Sequence, residues 1–175
     1  MTVVRAAAVG IGLVAAVLIV VLATSESGSH RMTTHLVGEP APPIAGTTID
    51  GDHWNLDAQR GRWVVVNFFS TTCVPCVREH PELVAFHEAH REGDGARVVS
   101  VAFDDRASAV EEFFRERGGD WPVLANATGG IAVDWGVVAV PESYLVAPSG
   151  HVVAKVVGGV DHQGLDSLLA RAKAG

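Results

Sequence analysis

The two cysteines of the chain, Cys73 and Cys76, are separated by two residues and stand between an apolar run and an amphipathic segment. The run from Trp63 to Phe69 reads WVVVNFF and predicts a strand buried on both faces. The segment from about Cys73 to His90 predicts a helix, whose first N–H groups and dipole would favour a thiolate at Cys73. With no further cysteine in the sequence, a four-cysteine zinc site is excluded within one chain.

The rest of the pattern predicts an α/β sandwich with mixed strand direction. Arg97 to Phe103 reads as a second strand, and the helix after it would start at a Ser108-x-x-Glu111 capping box. Asp161 would cap the last helix. Turn residues between short extended pieces predict two hairpins, at Asp50-Gly51 and at Pro148-Ser149-Gly150.

Residues 6–23 form an apolar run of eighteen residues without a charge. At ~1.5 Å per residue such a helix spans roughly 27 Å, close to the hydrocarbon thickness of a bilayer. Arg5 precedes the run, so the positive-inside rule places residues 1–5 in the cytoplasm and the remainder outside. We therefore expect a single-pass signal anchor in the cell membrane. The alternative is a secreted protein, cleaved after Val21-Leu22-Ala23.

Residues 24–37 are polar and small, and we expect them to be a flexible tether to a domain over residues 38–175. The net charge of −7, with basic residues scattered along the chain, gives no electrostatic support to nucleic-acid binding. A compartment outside the cytoplasm also suits a functional disulfide, because cytosolic thiols are kept reduced.

Four stretches of the chain resemble the thioredoxin superfamily, and within it the membrane-tethered, extracytoplasmic TlpA/ResA-like branch. The chain is most similar to the cytochrome-c-maturation thiol–disulfide oxidoreductases (the CcmG/DsbE group). The resemblance implies a thioredoxin-like fold, in which a mixed central sheet is flanked by helices, with an N-terminal hairpin and a central βα insertion behind the transmembrane helix. The four stretches are Gly38–Pro42, Asn67–Leu83, Val98–Val123 and Trp135–Val146.

The resemblance also implies roles for the cysteine motif. Cys73 would be the nucleophile that forms a mixed disulfide with a partner protein, and Cys76 would resolve it, leaving a redox-active Cys73–Cys76 disulfide. Val74 and Pro75, between the two sulfurs, would tune the reduction potential. No cofactor is implied.

Further site residues follow from the same resemblance. Pro141 would be a cis-proline facing the disulfide, with the backbone of Val140 pairing to the partner chain like an added strand. Glu79 would be buried beside the active site, where a raised pKa would let it move protons for Cys76. Glu142 would shape an acidic rim for substrate binding.

The chain departs from the family pattern at three positions. Thr72 stands where a Trp commonly precedes the first cysteine, and Phe69 replaces a second Trp, so we expect an altered substrate surface that includes Thr72. Asn67 occupies the place of a buried Asp in thioredoxin. Because Asn cannot act as a base, proton transfer would need another group, and Glu79 is the candidate.

The leading functional prediction is a thiol–disulfide oxidoreductase outside the membrane that reduces a cysteine pair in apocytochrome c or in its haem-ligation partner. A membrane thiol carrier would supply the electrons. The alternative within the same fold is a disulfide donor for exported proteins. Both functions would use Cys73, Cys76 and Pro141, so the motifs leave the direction of electron flow open.

Two other classes fit the sequence less well. A peroxiredoxin would need P-x-x-x-[TS]-x-x-C, and although Ser70 fits, Val66 occupies the proline position. A non-enzymatic copper-binding or adaptor module would typically separate its cysteines by three residues, not two. The helix histidines, His80, His87 and His90, are expected to be surface or packing residues, with metal binding by His87 and His90 as the alternative.

Overall fold

The computed structural model describes residues 30–31, 34–125 and 128–175. Within them lie eight strands and four α-helices, together with a 3-10 turn at Asp57–Gln59. The strands are β1 (His30–Arg31), β2 (Ala45–Thr47), β3 (His53–Asn55), β4 (Trp63–Phe69), β5 (Ala96–Ala102), β6 (Val123–Leu124), β7 (Glu142–Val146) and β8 (Val152–Val157). The helices are α1 (Val74–His90), α2 (Ala107–Arg117), α3 (Gly129–Asp134) and α4 (His162–Ala174).

Strand β4 lies inside a six-stranded sheet with the order β1-β8-β7-β4-β5-β6. It pairs in parallel with β5 and antiparallel with β7, which confirms the predicted mixed sheet. Strands β2 and β3 form a separate two-stranded hairpin, as the Asp50-Gly51 turn predicts. The sheet, with helices packed against it and β5 and α2 at the position of the expected βα insertion, is the expected thioredoxin-like α/β fold.

Both faces of β4 are covered, which is why its sequence is almost continuously apolar. Successive side chains of a strand point to opposite faces, so β4 contributes to two separate cores. The first core contains Val65 and Phe69 with Leu83, Phe86, Phe113 and Leu168 from the helices α1, α2 and α4. The second contains Val64, Val66 and Phe68 with Ile44, Trp135 and Tyr144.

Two predicted helix starts have different outcomes. Asp161 caps α4 as predicted, since its Oδ1 accepts a hydrogen bond of 2.7 Å from the backbone N–H of Gly164. The Ser108-x-x-Glu111 capping box is wrong. Helix α2 begins at Ala107, after an extended Arg106 (φ −85°, ψ 134°), so Ser108 lies within the first turn, and no side chain caps the helix.

The chain packs onto the domain before the predicted boundary at residue 38. Leu36 is buried in the second core, and β1 adds to the sheet beside β8. The predicted tether therefore includes residues that belong to the domain. The predicted anchor at residues 6–23 lies outside the described residues, and among those described no helix is both long and apolar enough to cross a bilayer.

Candidate active site

The cysteine motif forms the start of α1. Cys73 is the N-cap residue, and its Sγ accepts a hydrogen bond from the backbone N–H of Cys76 at 3.3 Å. Pro75 lies in the first turn, where a missing N–H costs no helical hydrogen bond. Cys73 is partly exposed and Val74 is 60% exposed, whereas Cys76 is only 3% exposed. A partner protein can therefore reach the first sulfur and not the second.

Cys73 and Cys76 form the predicted disulfide, with their Cα atoms 5.2 Å apart, inside the usual range for such a bond. The Val140–Pro141 peptide bond is cis, as predicted from the resemblance. The carbonyl oxygen of Val140 lies 3.4 Å from Cys73 Sγ, so this loop stands directly against the accessible sulfur. Val140 is partly exposed, and its role in pairing with a partner chain stays a prediction.

Glu79 is buried beneath the motif, with 3% of its surface exposed. Its Oε1 accepts a hydrogen bond from Val160 N–H at 3.2 Å, and its Oε2 accepts a longer one from Asn67 Nδ2 at 3.4 Å. The same Asn67 nitrogen donates to Ser143 Oγ at 3.1 Å. Burial raises the pKa of Glu79 to about 8, and the bonds from Val160 and Asn67 only partly offset this effect.

The raised pKa suits Glu79 to the proton transfer that its position three residues after Cys76 predicts. Cys76 and Glu79 are three residues apart in α1, so their Cβ atoms are about 5–6 Å apart on one side of the helix. A carboxyl group that titrates near neutral pH can both accept a proton and return it. Glu79 is thus suited to exchange a proton with the buried Cys76.

The prediction that Glu142 shapes an acidic rim is wrong. Glu142 is completely buried at the start of β7, and its Oε2 lies 2.9 Å from the ammonium nitrogen of Lys155, which is 6% exposed. Tyr144 Oη donates to the same oxygen, and Val138 N–H donates to Oε1. The carboxylate therefore faces inward, where it ties the loop before Pro141 to the sheet. Lys155, an isolated lysine in the apolar strand VVAKVV, was the available sequence signal.

The loop before Cys73 is bound by a residue that the sequence did not reveal, Asp105. Thr72 is exposed, as expected, and its Oγ1 lies 3.1 Å from Ser70 Oγ. Asp105, from the segment after β5, accepts hydrogen bonds from Ser70 and Thr71. Because this carboxylate lies more than thirty residues away along the chain, only the tertiary structure places it at the site.

The histidines of α1 have separate packing roles. His80 is 4% exposed, inside a group of aromatic rings, and burial lowers its pKa. His87 Nε2 lies 2.8 Å from Asp120, and His90 Nε2 lies 2.6 Å from Asp166. The two histidines contact different carboxylates on different segments, so they do not converge on a common ligand site.

Fold and site together define a thioredoxin-like thiol–disulfide oxidoreductase, with a C-x-x-C disulfide at a helix start facing a cis-proline. The chain belongs to the AhpC/TSA family, which it matches over residues 37–155, and it falls in the TlpA/ResA/CcmG branch.

Individual relatives agree with this assignment. The thiol:disulfide interchange protein HelX of Rhodobacter capsulatus is 27% identical over 139 residues, which cover 78% of this chain and 76% of HelX. The thiol-disulfide oxidoreductase ResA of Bacillus thuringiensis is 27% identical over 135 residues, covering 77% and 78% of the two chains. A thioredoxin-family thiol:disulfide interchange protein from Chlorobium tepidum has a similar crystal structure, with a TM-score of 0.70 and 26% identity over 81% of this chain and 99% of that one.

The raised pKa of Glu79 predicts how stability depends on pH. Between the unfolded value of 4.5 and the folded value of about 8, the native state holds a proton on Glu79 that the unfolded chain has lost. The free energy of unfolding contributed by this group is therefore fully present below pH 4.5 and falls as pH rises to about 8, at up to roughly 1 kcal/mol per pH unit.

Glu79→Gln stays neutral at every pH, so urea denaturation between pH 5 and 9 should show a shallower fall in this variant than in the wild type. Glu116→Gln, which changes an exposed glutamate of α2, is the matched control and should keep the wild-type slope. Equal slopes for Glu79→Gln and the wild type would contradict a protonated Glu79 in the native state.

The buried pair of Glu142 and Lys155 predicts a strong asymmetry between single and double substitutions. Lys155→Met leaves a buried carboxylate without its cation and should lower the free energy of unfolding by roughly 3–5 kcal/mol. Glu142→Gln combined with Lys155→Met removes both charges and should recover most of that loss.

Urea denaturation measures both effects. Lys173→Met is the control, because it breaks the surface pair of Lys173 with the fully exposed Asp94 and should cost only about 0–1 kcal/mol. A Lys155→Met variant as stable as the control, or a double variant as unstable as the single one, would contradict this account.

Proposed function

We propose that this oxidoreductase is anchored in the cell membrane, acts outside the cytoplasm, and reduces protein cysteine pairs during cytochrome c maturation. The observation that carries the proposal is the arrangement of an accessible Cys73, an enclosed Cys76 and a buried Glu79 that titrates near pH 8. Such a site can pass two electrons to a partner disulfide while it keeps the resolving thiol and its proton away from solvent.

The first half of the reaction takes place at Cys73. Its thiolate, favoured by the start of α1, attacks one sulfur of the partner's disulfide. The partner's sulfur–sulfur bond breaks, a bond forms between Cys73 and the attacked sulfur, and the other partner sulfur leaves as a thiolate that takes up a proton. The carbonyl oxygen of Val140, at 3.4 Å from Cys73 Sγ, marks where the partner backbone would lie.

The second half takes place at Cys76. Its thiol gives its proton to Glu79 when that carboxyl group is ionised, which is the minor form below its pKa of about 8, and the resulting thiolate attacks Cys73 Sγ. The mixed disulfide breaks, the second partner sulfur leaves as a thiolate that takes up a proton from solvent, and the Cys73–Cys76 disulfide is formed. Two electrons have then passed from the enzyme to the partner. When a membrane thiol carrier reduces the disulfide, Glu79 returns the proton to Cys76.

Two features of the chain and one chemical requirement of the substrate support the finer parts of the proposal. The resemblance to the cytochrome-c-maturation group, carried by Asn67–Leu83 and Trp135–Val146, supports the substrate. The haem attachment motif of a c-type apocytochrome, C-x-x-C-H, contains two cysteines that react with haem only as thiols. A disulfide between them must therefore be reduced first. The uncharged run at residues 6–23 supports the membrane anchor.

The proposal is tested with the full chain and a synthetic C-x-x-C-H peptide in its disulfide form. The reduced Cys76→Ser variant should accumulate a mixed disulfide between Cys73 and the peptide, which mass spectrometry identifies. Cys73→Ser is the matched control and should trap none, because its remaining thiol is enclosed. The reduced wild type should convert the peptide to its dithiol form.

Two results would overturn the proposal. A Cys73→Ser variant that traps the peptide as well as Cys76→Ser would show that the attacking thiol is assigned wrongly. An oxidised wild type that readily oxidises the dithiol peptide, with a reduced wild type that leaves the disulfide peptide intact, would show that the enzyme is a disulfide donor.

A further inference from the structure

The loop between β4 and Cys73 is held by a single carboxylate from another part of the chain. Asp105 Oδ2 accepts hydrogen bonds from the backbone N–H and the hydroxyl of Thr71, both at 2.7 Å, and from Ser70 Oγ at 3.3 Å. Asp105 lies after β5, at the point where the chain turns towards α2. Three donors on one oxygen fix the loop to the end of the neighbouring strand.

Further hydrogen bonds connect this loop to the nucleophile, Cys73. Ser70 Oγ lies 3.1 Å from Thr72 Oγ1 and accepts the backbone N–H of Thr72 at 3.4 Å. The carbonyl oxygen of Ser70 accepts the backbone N–H of Cys73 at 3.2 Å. In the position where the family commonly has a tryptophan, this chain has a hydroxyl in a network that ends on the Asp105 carboxylate.

Asp105 carries its negative charge at neutral pH. Partial burial opposes ionisation, but the hydrogen bonds from Thr71, Arg106 and Ser70 outweigh burial and hold the pKa of Asp105 below its ordinary value. Of the basic side chains in the described residues, none forms an ion pair with this carboxylate. Its charge therefore acts on the site without neutralisation by a partner.

The groups that contact Cys73 are themselves uncharged: the carbonyl oxygens of Val140 and Ser70 and the first turn of α1. Two carboxyl groups form hydrogen bonds with the segments around the motif, Asp105 on the side of the loop and Glu79 beneath Cys76. The other charged residues close in sequence to these groups are exposed: Arg78 in α1, and Asp104 and Arg106 on either side of Asp105. Thr71, which binds Asp105, is two residues from Cys73, so their Cα atoms are at most about 7.6 Å apart.

We propose that Asp105 is a positioning residue that fixes the loop before Cys73 and, through its negative charge, destabilises the Cys73 thiolate. A less stable thiolate makes the reduced pair a stronger electron donor, because the ionised dithiol is the form that oxidation removes. Asp105 thereby opposes the helix dipole, which favours the thiolate. The inference rests on the proposed function, in which Cys73 is the attacking thiol and the enzyme donates electrons.

The test is the thiol pKa of Cys73 in the reduced full chain, taken from the pH dependence of its alkylation by iodoacetamide and mapped by mass spectrometry. Asp105→Asn removes the charge but keeps an oxygen for Thr71 N–H. It should lower the pKa of the Cys73 thiol by roughly one unit, a tenfold gain in thiolate at low pH. The equilibrium with glutathione should shift severalfold towards the reduced protein.

Asp104→Asn is the matched control, because it removes the same charge from the neighbouring exposed residue, which takes no part in the hydrogen bonds of the loop. It should leave the pKa of the Cys73 thiol close to the wild-type value. Asp105→Glu keeps the charge, so the pKa of the Cys73 thiol in this variant should also stay close to the wild-type value. Equal thiol pKa values in Asp105→Asn and Asp104→Asn, or a shift in Asp105→Glu as large as in Asp105→Asn, would overturn the inference.

A salt titration of the wild type is a second test that does not depend on any variant folding. Screening weakens the repulsion from Asp105, so raising the ionic strength should lower the pKa of the Cys73 thiol. A rise would overturn the inference, since it would show that the helix dipole, whose screening has the opposite sign, dominates the field at Cys73. A wild type that reduces the peptide disulfide while these results fail would leave the proposed function intact.

Discussion

The antiparallel pairing of β4 with β7 is the constraint on which the rest of the site depends. Phe68 near the end of β4 lies opposite Glu142 at the start of β7, so the chain leaving one strand meets the chain entering the other. Cys73 follows β4 and Pro141 precedes β7, and the pairing therefore brings them face to face, although Cys73 and Val140 are 67 residues apart in sequence. Burial of β4 on both faces holds this register, because a shift of one residue would exchange its two cores.

Two buried glutamates at this end of the sheet differ because their partners differ. Glu142 is paired with the Lys155 ammonium group and serves the structure of the cis-proline loop. Glu79 receives hydrogen bonds from Val160 and Asn67 and has no ion-pair partner among the described residues, so burial raises its pKa to about 8. The environment of each carboxyl group thus separates a structural charge from a group that can exchange protons.

Much of this arrangement could be predicted from the sequence because it is encoded locally or in a family motif. The apolar run of β4 predicts its burial, the C-x-x-C spacing predicts the helix start, and the family resemblance predicts the cis form of Pro141 and the buried position of Glu79. One local prediction fails, the Ser108-x-x-Glu111 cap of α2. The other features that the sequence did not predict depend on partners distant in sequence. The inward direction of Glu142 depends on Lys155, and the hold on the loop before Cys73 depends on Asp105, which no local pattern reveals.

The central claim is that this site donates electrons, and the equilibrium reduction potential of the Cys73–Cys76 couple tests it most directly. The potential is measured on the full chain against dithiothreitol and glutathione couples, with alkylation to fix the redox states. We expect a value at or below about −220 mV, on the side of the scale where thioredoxin and the glutaredoxins lie. A value near about −120 mV, as for a strong disulfide donor, would contradict it.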